Sequence, residues 1–196
     1  MRMTMLLLLL AMPARIAAQR LSLSPEIGVY VPTEKLTRLA SNSDFSQIEA
    51  GPSFGARIGL WFGRRIGVEV SGAYVPSTFK LSSSNTITKQ DAKLYLGSGQ
   101  VVVFLLPRTG FLTLFLNGGV GMVRRSGAAF SDTQDKTDLS GVFGAGAGIR
   151  LGPLAVTGGA ELFNYSSAYS SGTSGESVTQ RDIRLKLGFG IPVGGR

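Results

Sequence analysis

Period two dominates this sequence. From residue 21 onward, apolar side chains alternate with small or polar ones in eight segments: 21–31, 48–62, 66–76, 92–106, 111–123, 139–151, 154–164 and 182–193. Successive strand side chains point to opposite faces, so this rhythm specifies strands with two unlike faces. No stretch sustains a helical period. The second segment is the clearest. Ile48, Ala50, Pro52, Phe54, Ala56, Ile58, Leu60 and Phe62 share one face, against Glu49, Gly51, Ser53, Gly55, Arg57 and Gly59. The eighth sets Ile183, Leu185, Leu187, Phe189, Ile191 and Val193 against Arg184, Lys186, Gly188 and Gly190. Each segment matches or exceeds the ~9–11 residues with which a tilted strand crosses a bilayer.

The connections alternate as well. Gly63–Arg65, Pro107–Gly110 and Gly152-Pro153 are tight turns, whereas 32–47, 77–91, 124–138 and 165–181 are long and rich in Ser, Thr and Asp. Short turns at one end and long loops at the other describe an up-and-down meander. Parity agrees: Leu151 meets Leu154 across one turn and Phe62 meets Ile66 across another. A one-residue slip would put those apolar faces on opposite sides of the sheet. In the fourth segment Ser98-Gly99-Gln100 is a candidate bulge. The apolar run 101–116 is split by Pro107-Arg108-Thr109-Gly110 into halves too short for a membrane helix, so it reads as strand–turn–strand.

Which face turns outward separates two classes. A lipocalin-like barrel keeps its apolar face inside, and a membrane barrel does the reverse. Here the non-apolar face is mostly Gly and Ser, and only 16% of all residues are charged. A surface exposed to water would carry many Lys and Glu and few Gly. The Gly-rich face therefore reads as the interior of an all-β, eight-stranded antiparallel transmembrane barrel. Glu26, Glu49, Arg57, Glu69, Lys93, Arg150, Glu161, Arg184 and Lys186 fall on that inward face. Buried charges need partners. Glu69 lies diagonally from Arg57 across the first short hairpin, and barrel closure brings the last strand, with Arg184 and Lys186, between those of Glu161 and Glu26. Such a set is a polar pathway, or a salt-bridged plug in so narrow an interior.

Trp61, Phe62, Phe104 and Phe189 lie toward the short turns, and Tyr74 toward the long loops, as two interfacial girdles would require. Tyr30, Tyr95 and Phe115 fall on the inward parity. Lys35, Arg38, Lys80, Lys89, Arg124, Arg125 and Arg181 lie in or beside the long loops, where a rim of cations would meet anionic lipid headgroups. Ahead of all this, residues 1–18 carry Arg2, the apolar run Met5–Met12 and the small pair Ala17-Ala18. That is the layout of a cleaved signal peptide, leaving 19–196 as one barrel domain. Its removal leaves 18 basic and 12 acidic residues, a net +6. An exported chain of this charge meets lipid phosphate or anionic glycolipid rather than nucleic acid.

Composition removes much chemistry. With no Cys and no His, thiolate metal sites, disulfides and every His-dependent catalytic set are excluded. A Ser–Lys pair near Lys89 or Lys93 is the nucleophilic arrangement left open. Gly144-Ala-Gly146-Ala-Gly148 lacks the spacing of a nucleotide loop and sits mid-strand. Asp132, Asp135 and Asp138 do not match a calcium loop and read as solvated. No cofactor and no metal are expected.

With these features the chain resembles the small outer-membrane β-barrels of the OmpA and OmpX type. The signal peptide, the eight strands, the loop rhythm and the Gly-rich centres FGARIGLWFG (54–63) and FGAGAGIRLG (143–152) carry the resemblance. It implies short periplasmic turns, long extracellular loops, contact with outer-membrane lipid and lipopolysaccharide, and insertion by the barrel assembly machinery. That machinery usually reads a terminal aromatic residue, and here Phe189 is the aromatic nearest the end. The expected role is non-catalytic, structural or through surface interaction of the long loops. A narrow channel for small solutes and a soluble, lipocalin-like periplasmic ligand-binding barrel are the alternatives. Nothing in the residues fixes an oligomeric state.

Overall fold

A computed structural model describes residues 20–33, 37–38, 45–83, 86–108, 110–130, 137–168 and 177–193. The signal segment 1–18 lies outside them. Among the described residues ten strands follow in chain order: β1 (Arg20–Pro32), β2 (Thr37–Arg38), β3 (Phe45–Ile48), β4 (Gly51–Phe62), β5 (Ile66–Ser83), β6 (Thr86–Phe104), β7 (Leu112–Ser126), β8 (Thr137–Leu151), β9 (Leu154–Ala168) and β10 (Ser177–Val193). Eight of them close a ring. Each pairs antiparallel with its chain neighbour, β1 also pairs with β10, and β5 pairs with both β4 and β6. The short strands β2 and β3 extend the sheet beside the far end of β5. The tight turns need backbone that L side chains avoid, and Gly63 and Gly152 supply it with φ of 78° and 63°.

Alternation sorts the side chains as the sequence implies. Ile27, Phe54, Ile58, Val70, Val120, Phe143 and Leu187 are among the large apolar residues left exposed on the outer surface. The glycines of the other face make room inside. A side chain at Gly146 would sit 2.3 Å from the Phe115 ring, and one at Gly144 would overlap the Asn117 amide. Residues 144–148 are thus the notch into which the larger β7 side chains pack. Elsewhere the limit is backbone: a Cβ on Gly28 would lie 2.0 Å from the Leu185 carbonyl oxygen at the β1–β10 seam. Rotamer changes cannot relieve that overlap. Gly28→Val is expected to lower stability by about 1–3 kcal/mol or more, read as a lower urea midpoint for the compact, unboiled gel band.

Several strand limits differ from expectation, and three local departures matter most. Segment 77–91 is not a loop. β5 and β6 stay paired as far as Ser83↔Thr86, a ribbon of roughly 30 Å beyond Tyr74 at the usual rise per residue. Past the apolar belt both faces of a strand can meet water, so the membrane-type alternation that marks the other strands is lost. At 49–50 the chain carries a bulge. Phe54 pairs with Tyr74 but Ile48 pairs with Phe79, so six residues on one strand span five on the other. That extra residue flips parity and turns Ile48 inward, where it is buried. No bulge occurs at Ser98–Gln100, where pairing to both neighbours is continuous.

Candidate functional site

The barrel interior is stacked in layers. At the loop end Tyr30, Val75, Phe79, Leu94, Phe130 and Phe163 belong to one buried apolar cluster. The 3-10 turn Ala128–Phe130 lays Phe130 edge-on against Phe79, with ring centroids 5.7 Å apart. At the short-turn end Trp61, Val102, Phe104 and Phe115 form a second cluster. Trp61 fits there because Gly59 and Gly67 leave space for its indole, and its ring nitrogen donates to Ser22 Oγ at 2.8 Å.

Charges fill the middle. Glu26 Oε1 is 3.2 Å from Arg57 Nε and 3.4 Å from Lys186 Nζ, and its Oε2 is 3.1 Å from Arg184. Arg57 also pairs with Glu69 at 3.1 Å. Glu161 takes Lys186 at 2.7 Å and Arg184 at 3.6 Å. Three carboxylates and three cations thus balance, and all six residues are buried. Neutral groups complete the layer. Gln100 donates to Glu161 at 2.8 Å and to Ser98 at 2.7 Å, Arg184 Nε to Ser53 at 3.1 Å, and Arg57 to Thr157 at 3.1 Å. Closer to the loops both the Tyr30 and Tyr165 hydroxyls donate to Asp182, while Arg125 pairs with Asp138 and lies over the Tyr165 ring.

The other inward candidates are placed differently. Glu49 sits at the bulge, outside the network, paired with Lys80. The hydrogen bond from Lys80 holds the Glu49 carboxyl below its ordinary range, so the pair persists at neutral pH and is lost only as pH falls below that range. Lys93 is exposed; with no bulge at 98–100, the even residues Ala92, Leu94 and Leu96 face inward. Arg150 faces inward at the short-turn end, away from the carboxylates, and donates to the Arg108 carbonyl at 3.1 Å. Interior polar residues that sequence reasoning did not assign to a network include Ser53, Gln100, Asn117, Tyr165 and Asp182. Parity was the signal for them, since each shares the inward face of its strand with a buried neighbour.

The model of the outer membrane protein beta-barrel domain matches residues 4–189. The chain belongs to that family. Solved structures of the same architecture include Neisserial surface protein A, 13% identical with TM-score 0.56 over 89% of this chain and 97% of that one. The N-terminal β-barrel domain of Pseudomonas aeruginosa OprF is 12% identical, with TM-score 0.51 over 87% and 97%. Yersinia pestis Ail, in complex with the heparin analogue sucrose octasulfate, is 17% identical with TM-score 0.48 over 89% and 97%. No curated protein matches the chain.

As an outer-membrane barrel, the molecule turns its apolar belt to lipid. Tyr74 and Tyr95 form an outward pair at the loop-side edge of that belt, with centroids 5.4 Å apart, and Phe62 and Phe189 lie outward at the short-turn edge. Tyr95 is on the outer face, not the inner one. Trp61 and Phe104 are corrections in the other direction: both are buried inside. Among the expected rim cations Lys89, Arg124 and Arg181 are exposed. Lys80 is half-buried against Glu49 and faces Lys89 across the ribbon. Arg125 is not a rim residue at all, being 2% exposed and paired with Asp138. Asp138 is therefore not a solvated loop acid. Lys35 and the Arg38 side chain lie outside what is described, as do Asp132 and Asp135.

Proposed function

We propose that this outer-membrane barrel is closed to solutes, performs no catalysis and acts through its loop-side face. The observation that carries the reading is the filled interior: an apolar layer at each end and a charge-balanced layer between them. A conducting pore needs a continuous wet path, and the central charged layer and the buried apolar cluster at the loop end stand across it. The paired carboxylates and cations fix the register of strands that are otherwise smooth with glycine. For the loop-side face, support comes from the sheet formed by β2, β3 and the β5–β6 ribbon, which stands beyond the belt. Arg124 lies opposite Tyr95 in the sheet, and with Lys89 and Arg181 it offers exposed cations to the phosphates of lipopolysaccharide. Export on residues 1–18 and insertion by the barrel assembly machinery complete the proposal.

Planar-bilayer recording tests it. The refolded mature protein is expected to insert without discrete conductance steps. Reproducible steps from the purified monomer would favour a narrow channel for small solutes.

A further inference from the structure

Charge is distributed unequally along the barrel axis. On the short-turn side of the central ion pairs the segments 20–25, 58–68, 101–117, 145–158 and 187–193 contain Arg20, Arg64, Arg65, Arg108 and Arg150, and neither Asp nor Glu. Two of these arginines line a cavity of about 60 Å³ that enters the barrel from this end. One wall is aromatic. Trp61 and Phe104 meet edge to face at 5.2 Å, Phe115 continues the wall, and the Arg108 guanidinium lies 4.4 Å from the Trp61 ring. Thr113, next to Phe115 on the inward face of β7, and Arg150 on the paired strand β8 also line the cavity. The floor is Arg57 with Glu69, and Glu69, the carboxylate on the lining, is held by Arg57 at 3.1 Å. That floor belongs to the central charged layer.

Arg150 is incompletely satisfied. One terminal nitrogen donates to the Arg108 carbonyl, while its Nε–H is buried with no acceptor among the described residues. A buried guanidinium donor left without an acceptor is costly, and an oxyanion in the cavity would supply the acceptor and the missing negative charge. The size fits. The space of about 60 Å³ is larger than a single water requires, which leaves room for a small tetrahedral oxyanion. Guanidinium forks recognise that geometry better than a point charge does.

We propose that the short-turn end of the barrel carries a binding site for a phosphate group, formed by Arg150 and Arg108 against the Trp61–Phe104–Phe115 wall. Free phosphate and the headgroup of a phospholipid present the same chemistry to it.

The chain contains a single tryptophan, and that residue lines the site, so its emission reports occupancy. Mature protein refolded in dodecyl maltoside, which carries no phosphate, is titrated with inorganic phosphate and separately with dihexanoyl phosphatidylglycerol. A saturable change in emission is expected with at least one probe. Saturation by inorganic phosphate identifies a free-anion site, and saturation by the lipid alone identifies a headgroup site. Arg150→Gln is expected to weaken the midpoint by about tenfold or more, the loss of one charge-assisted contact. Arg150→Lys, which keeps the charge without the fork, should fall between the two. The double variant R64Q/R65Q, on the outer turn, should keep the parent midpoint. The boiled and unboiled gel mobilities confirm that each variant is folded. Absence of saturation with both probes, an unchanged midpoint in both Arg150 variants, or loss of the response in R64Q/R65Q would overturn the site.

Discussion

Replacing Glu26 by Ala is expected to cost the barrel about 3–5 kcal/mol of folding free energy. The Glu26 side chain is fully buried and lies within 3.4 Å of three cations on two strands. Without it Glu69 and Glu161 alone face Arg57, Arg184 and Lys186, and one buried positive charge has no counterpart. Removing that charge should repair the defect. Adding Lys186→Met to Glu26→Ala restores balance, and the double variant should recover more than half of the loss. Urea titration in lipid vesicles, scored by the compact unboiled band, measures both. A double variant no more stable than Glu26→Ala would show that the cost comes from a packing void and not from unbalanced charge. A whole ion-pair set exchanged for apolar residues can be neutral or stabilising. The role argued for the network is therefore to specify register and block the axis, more than to add net stability.

The strand count, the meander and the inward or outward sense of most positions were legible because the chain spans two solvents with a period of two. Lipid selects large apolar residues outside, and a narrow interior selects Gly, Ser and paired charges. Legibility fails where that contrast fails. Around Lys93 the inside is an apolar plug and the outside approaches water, so the alternation loses its sign and only the continuous pairing of β6 settles it. At Glu49 a single extra residue reverses parity, and no residue type in Glu49-Ala50 marks a bulge.

Trp61 and Phe104 show a different limit. Each sits on the inward parity of its strand, beside Gly59 and Val102 respectively, yet the expectation of an interfacial girdle places such rings outside. The interior has room for Trp61 because Gly59 and Gly67 carry no side chains. Reading those glycines as space for a specific neighbour, instead of as generic filling, would have found the short-turn cluster. Arg125 is the same lesson for charge. Two adjacent arginines at the end of β7 look equivalent in sequence, but in a strand they point to opposite faces. Arg124 meets the outside and Arg125 joins Asp138 within.

Placing a charge on the outer belt should be as damaging as unbalancing the interior, provided that belt faces lipid. Val70 is 65% exposed and lies midway between Ile66 and Tyr74 on β5, level with the Arg57–Glu69 pair. In a bilayer Val70→Arg is expected to cost about 2–4 kcal/mol, the range for an arginine near the midplane of a membrane barrel. Thr88→Arg, on the exposed face of the ribbon beyond the belt, should change stability by less than about 0.5 kcal/mol, as surface substitutions in water do. The comparison bears on the soluble-barrel alternative directly. If water bathed the outer face, an added arginine at residue 70 would be as harmless as at residue 88, and the exposed Ile58, Val70, Val120 and Phe143 would be an aggregation hazard with no compensating role. Equal urea midpoints for the two variants in vesicles would therefore contradict a lipid-facing belt. A difference that appears in vesicles and shrinks at the water-accessible end of the same strand pair would locate the membrane on this barrel by depth.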